Sequence, residues 1–186
     1  MQLHEQPDSE LLRQIRSGDA TALDEIMRRY KRPIVNFVFR MLSNAQDADD
    51  IAQDVFVRVY QNLDAYRAGT KFSTWLFAMA RNAAIDRLRW RARHPSESLD
   101  SVPEITASSG TAEEIAAREI GDQIATAVAK LPEDQRTVLV LAEYHGMSYA
   151  EIAAVTGCSM KSVESRLYRA KQTLRQTLRH LLDPLL

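Results

Sequence analysis

Apolar positions recur every three or four residues along almost the whole chain, and nowhere do they alternate, so the pattern predicts helices throughout. A short helix spans Ser9 to Arg16 and stops at Gly18. The next runs from Asp19 or Thr21 to Tyr30, and Pro33 marks the start of a third that ends by Leu42. Asn44 and Asp47 give the start signal of a fourth, which continues to about Asp64 on a core stripe of Ile51, Val55, Val59 and Leu63. "AYRAGTK" reads as a loop, with Ser73 as the cap of a long following helix. The pattern then lapses in "HPSESLDSVPEITASSGT", which holds two prolines and five serines and reads as a flexible, acidic linker. Helical spacing resumes near Glu113, broken at "LPEDQ", "HGMS" and "TGCS". The expected fold is all-α: two small helical domains, residues 1–94 and 113–186, joined by a linker at 95–112.

The second domain carries a helix-turn-helix pattern. Ser148 and Glu151 form a capping box, Ile152 and Ala153 pack inward, and Gly157 fits the tight turn. Ser159 caps a second helix whose stripe is Val163, Leu167, Ala170, Leu174 and Leu181. Lys161, Ser165, Tyr168 and Gln172 lie opposite, with Ser162 and Arg169 at the edge. Such a helix buries its stripe and offers a basic, hydrogen-bonding face to a major groove.

Charge sharpens this picture. The chain of 186 residues carries 24 Lys and Arg against 25 Asp and Glu, a net of -1, but the charges are segregated. Residues 71–94 and 158–180 each sum to +5, whereas 43–64 sum to -4 and 97–122 to -6. Two basic blocks on separate segments fit two contacts with one long polyanion. One cysteine, Cys158, leaves no internal disulfide, and the four histidines show no ligand spacing, so neither metal nor cofactor is expected. The polar N-terminus and the lack of a long apolar run point to a cytoplasmic protein without membrane insertion.

The first basic block, "KFSTWLFAMARNAAIDRLRWRAR", holds both tryptophans. Projected as a helix, Trp75, Asn82, Asp86 and Arg89 fall within about a 60° sector. Leu76, Ala80, Ala83 and Ala84 lie on another side and suit a core. Two roles fit Trp75 on periodicity alone. It is a platform on which an unpaired base stacks, with arginines nearby holding the backbone, or it covers the neighbouring helix.

In order, these segments resemble the extracytoplasmic-function (ECF) type of bacterial alternative sigma factor. "DADDIAQDVFVRVYQNLDAYR" resembles the family's helix for core RNA polymerase, and "FSTWLFAMARNAAIDRLR" its promoter-melting helix. "LPEDQRTVLVLAEYHGMSYAEIAAVTG" and "CSMKSVESRLYRAK" resemble its DNA-binding end. The resemblance implies a domain like sigma region 2 and one like region 4, and a role in transcription initiation rather than catalysis. By resemblance, Asp49, Asp50, Gln53 and Asp54 bind the polymerase. Arg67, Lys71, Trp75, Asn82, Asp86 and Arg89 serve the -10 element and its melting, and Lys161, Ser162, Ser165, Arg166 and Arg169 read the -35 element. "RAGTK" and Glu164 depart from patterns common in the family. The implied partners are core RNA polymerase, promoter DNA and an anti-sigma factor, the last on resemblance alone. A repressor or activator using only the helix-turn-helix is the alternative. An enzyme acting on DNA lacks a nucleophile with a neighbouring base, a metal cluster or a Gly-rich phosphate loop.

Overall fold

The computed structural model describes residues 3–66, 69–94 and 111–182. All regular elements among them are helical. The first lobe comprises α1 (Asp8–Arg16), α2 (Ala20–Leu42), α3 (Ala45–Gln61) and α4 (Phe72–Arg93), with a short 3-10 turn at Leu63–Ala65. Gly18 ends the α1 turn at φ +91°, where a side chain would be strained. Asn44 caps α3 by accepting from the Asp47 N–H, as its sequence position predicts. The stripe of α3 is buried throughout.

Two sequence expectations fail here. Pro33 does not begin a helix; α2 runs straight through it. An interior proline costs about 3 kcal/mol, but Ile26 lies before it and Ile34, Phe37, Val38 and Met41 after it, all fully buried on one helix. Each such side chain contributes roughly 1.5–3 kcal/mol on burial, so continuity prevails. Ser73 does not cap α4 either: the helix starts at Phe72, and the residue before it, Lys71, makes no side-chain cap bond. Phe72 is buried and meets Tyr30 edge-on at 5.4 Å and Tyr66 at 5.9 Å. Aromatic packing thus sets the helix start in place of a polar cap.

The second lobe comprises α5 (Ala112–Ala129), α6 (Glu133–Glu143), α7 (Tyr149–Thr156), α8 (Met160–Thr177) and the short α9 (Arg179–Leu182). The two lobes are docked: α6 and α5 pack on α2, and α7 packs on α4. His145, in the turn between α6 and α7, packs its ring against Phe37 (6.0 Å) and Phe77 (4.8 Å) of the first lobe, which also touch each other at 5.5 Å. The Arg136 guanidinium donates to the Met41 carbonyl at 2.6 Å and to the Leu131 carbonyl at 3.0 Å, tying the end of α2 to the start of α6. Arg40 lies 3.5 Å from the ring centroid of Tyr144, a cation–π contact. The buried side chains of both lobes form one continuous apolar cluster. Of the linker expected at 95–112, residues 95–110 lie outside the described residues, and Thr111 and Ala112 are instead the cap and first residue of α5.

Candidate functional site

Three surfaces carry the predicted residues. On α3, packing of Ile51, Ala52, Val55 and Val59 into the core turns Asp49, Asp50, Gln53 and Asp54 to solvent. None of these four has an ion-pair or hydrogen-bond partner among the described residues. Val57 and Tyr60 stand exposed on the same helix, at 53% and 62%. Acids flanking uncovered apolar side chains make a docking face, with charge to orient a partner and apolar area to hold it. Sequence reasoning missed Val57 and Tyr60, although both fall off the spacing of the core stripe, which is the signal that would have found them.

On α4, Asn82, Asp86 and Arg89 are exposed, spaced four and three residues apart along one side of the helix. Trp75 lies two turns before Asn82 on the same side of this helix. It is half-buried, with its ring 5.4 Å from Tyr66 and 6.0 Å from Phe72. Arg67 lies outside the described residues. The cations of this helix are largely engaged within the molecule. Asp47, nearly buried, binds Arg87 and Arg91, each at 2.5 Å. Arg91 also donates to the Leu42 carbonyl at 3.2 Å. These two arginines therefore anchor α4 to α3, so part of the basic block's charge is balanced within the molecule. Lys71 pairs with Glu151 of α7 at 2.7 Å, and Arg89 approaches Glu133 of α6 at 3.6 Å. The Lys71 ammonium and the Ser148 hydroxyl hold the Glu151 carboxyl down at about 2. Arg81, partly covered between the lobes, has its pKa lowered by burial.

The helix-turn-helix forms from α7 and α8. The Ser148–Glu151 capping box is present, and Ser159 accepts from the Ser162 N–H. Gly157 takes φ +69°, and its N–H bonds the Ala153 carbonyl at 2.8 Å, so the chain reverses in a left-handed turn. Val163, Leu167 and Ala170 are buried, and Leu174 packs against the same core. Lys161, Ser165 and Arg169 are exposed, joined by Tyr168 at 64% exposure. Ser162 is half-buried beside the cap. Arg166 is not on this face: it is half-buried and pairs with Asp134 of α6 at 3.1 Å. That leaves a basic face of Lys161, Ser165, Tyr168 and Arg169, with Arg166 holding α8 to α6.

His145 was passed over because it showed no metal spacing. Burial, with the Arg40 charge nearby, holds its ring down at about 4, so it packs as a neutral side chain. Among the described residues no helix is long and apolar enough to cross a membrane.

Comparison with known proteins identifies the family. Residues 26–94, from within α2 to the end of α4, match sigma-70 region 2, and residues 121–174, from the second half of α5 through most of α8, match sigma-70, region 4. RNA polymerase sigma-H factor of Pseudomonas aeruginosa is 32% identical over 97% of this chain and 98% of its own length. The ECF sigma factor SigW of Bacillus subtilis is 34% identical over 91% and 96%, and the ECF sigma-E factor of Escherichia coli K12 is 30% identical over 94% and 96%. Among solved structures, CnrH in complex with the cytosolic domain of CnrY superposes with a TM-score of 0.71 at 28% identity, covering 93% of this chain and 97% of that one. With relatives matched over nearly their whole length and both sigma regions in order, the chain belongs to the ECF sigma factors of RNA polymerase, which direct the polymerase in transcription initiation.

Proposed function

We propose that the chain divides its task among three surfaces. Asp49, Asp50, Gln53 and Asp54, with Val57 and Tyr60, dock on core RNA polymerase. Asn82, Asp86 and Arg89, with Lys71, Arg67 and Trp75, meet the -10 element and hold its opened strand. Lys161, Ser165 and Arg169 read the -35 element, with Ser162 at the helix start and Arg166 as a support from behind. Residues 1–94 form the docking and melting domain, 95–112 the linker and 113–186 the upstream-reading domain. The observation that carries this reading is the unpartnered acidic and apolar face of α3, which a DNA-only repressor has no use for.

The chain works in the cytoplasm as a polymerase subunit and contributes no catalysis of its own. A protein of the anti-sigma class holds it between uses; the related CnrH was solved with the cytosolic domain of another protein. Run-off transcription with bacterial core RNA polymerase tests the whole reading. Specific transcripts appear only with the chain added, and a chain that binds duplex DNA tightly but never directs the polymerase is a repressor or activator instead. Cleavage of DNA with magnesium and no polymerase would make it an enzyme. For the melting surface, Asn82→Ala leaves polymerase binding intact and lowers promoter opening, read as permanganate-reactive thymines. A template melted in advance restores part of the transcription. Normal opening by this variant removes Asn82 from the strand-holding surface.

A further inference from the structure

Glu164 is the only acid among residues 158–180, where six cations stand. Its side chain is exposed on the second turn of α8, and it has no ion-pair or hydrogen-bond partner among the described residues. Arg166 and Lys171 on the same helix are matched by carboxylates of α6, at 3.1 Å to Asp134 and 2.8 Å to Glu143. Glu164 instead lines a shallow concavity of the helix surface with Ser165, Tyr168 and Arg169, the face opposed to the core. A carboxylate there meets phosphates unfavourably in every DNA complex, whatever the sequence. Only a base that donates to it offsets that repulsion. In the major groove, the cytosine N4 amino group donates to a carboxylate. Adenine sets its N6 donor beside the N7 acceptor, which repels a carboxylate and suits an amide.

We infer that Glu164 is a specificity-determining residue that accepts a hydrogen bond from the N4 amino group of one cytosine in the upstream promoter element. The inference rests on the proposal that α8 enters the major groove of that element. The first turns of a recognition helix are the part that reaches base edges, and Glu164 sits there beside Ser165. The unpaired acid thus lowers affinity for most sequences while raising the contrast between them.

The test uses the full-length chain assembled with bacterial core RNA polymerase and a pool of promoter duplexes randomised across the upstream element. The bound duplexes are sequenced for the wild type, Glu164→Ala and Glu164→Gln. The wild type enriches cytosine at one position. Glu164→Ala lowers that preference by about 5- to 150-fold, the discrimination expected of one specific base contact. Glu164→Gln moves the preferred base at the same position to adenine, because an amide bonds both N6 and N7. Variants that bind all sequences more tightly and alike, or keep the wild-type preference, overturn the inference and leave Glu164 as a source of phosphate repulsion. A wild-type holoenzyme that enriches no upstream sequence fails differently: it removes α8 as the reader, and the inference with it. Because Glu164 is exposed and unpartnered, all three proteins keep the same helix content and melting midpoint, and a fall in either marks a structural side chain.

Discussion

The acidic helix α3 and the basic helix α4 look like mirror images in the sequence, one block of -4 beside one of +5. In the fold they differ in kind. The acids of α3 at positions 49, 50 and 54 face solvent without partners, so their charge is available to another molecule. The cations of α4 are mostly engaged: Arg87 and Arg91 on Asp47, Lys71 on Glu151, Arg89 near Glu133. A charge block read from sequence counts side chains, whereas function depends on the charge left over after internal pairing. Asp47 shows the distinction within a single helix, since it belongs to the acidic block yet is buried as the anchor of the basic one.

Reversing the free charges gives the largest effect. Asp50→Lys with Asp54→Lys weakens binding to core polymerase by more than about a hundredfold, because like charges across an interface cost several kcal/mol. Folding changes by no more than about 0.5 kcal/mol, as for other exposed sites. A titration against core polymerase at moderate salt, with circular dichroism alongside, checks both. Unchanged affinity would break the comparison, since the free acids would then have no partner. Next in size is an engaged charge: Asp47→Ala leaves Arg87 and Arg91 partnerless at a partly buried site and destabilises the chain by about 3 kcal/mol. Denaturant unfolding measures it. A loss under about 1 kcal/mol would place this cluster with ordinary surface pairs.

A smaller effect tracks pH. His145 titrates at about 4 in the docked form against an ordinary value of 6.5. The unpacked chain therefore binds more protons between those values. Docking is strongest above about pH 7 and weakens as pH falls toward 4, by about 1–2 kcal/mol once solvent screening of a half-buried ring is allowed for. His145→Phe removes that part of the slope while keeping a ring against Phe37 and Phe77, so the two proteins' stabilities at pH 7.5 and 5 are the comparison to make. An equal slope in both would assign it to other groups. Smallest is Lys71→Ala, which costs about 0–1 kcal/mol of stability, an amount that salt erases. A larger, salt-resistant loss would make Lys71 a structural residue like Arg87.

The helices were legible where local chemistry decides them. The Asn44 cap, the Ser148–Glu151 box and the αL glycine at 157 are written in neighbouring residues, and each forms as its spacing implies. Pro33 misled because its local cost is outweighed by the burial of Ile34, Phe37 and Met41, which a short window does not see. Site residues follow the same divide. Outward positions on α3 and α8 come from the helical period, so the exposure of Asp50 and Ser165 was legible. The internal pairing of Arg166 and Arg87 was not legible because their partners, Asp134 and Asp47, are 32 and 40 residues away in the chain. The docking of His145 against two phenylalanines of the other lobe has no local signal at all.

That dock also sets a length. A compact chain of 186 residues has a radius of gyration of about 16 Å, hence a width of roughly 40 Å. Two promoter elements about 25 base pairs apart are separated by roughly 85 Å of B-form duplex. The stretch from His94 to Thr111 reaches up to roughly 60 Å when extended, so the tether is long enough for both elements although the docked body is not. If each half reads one element, as proposed above, His145 must leave Phe37 and Phe77 when both are bound. Because the halves belong to one chain, their effective concentration stays high and is set by the length of the connection between them. Each promoter complex therefore forms against a competitor that the chain carries within itself, and a duplex offering one element alone leaves the halves free to close again.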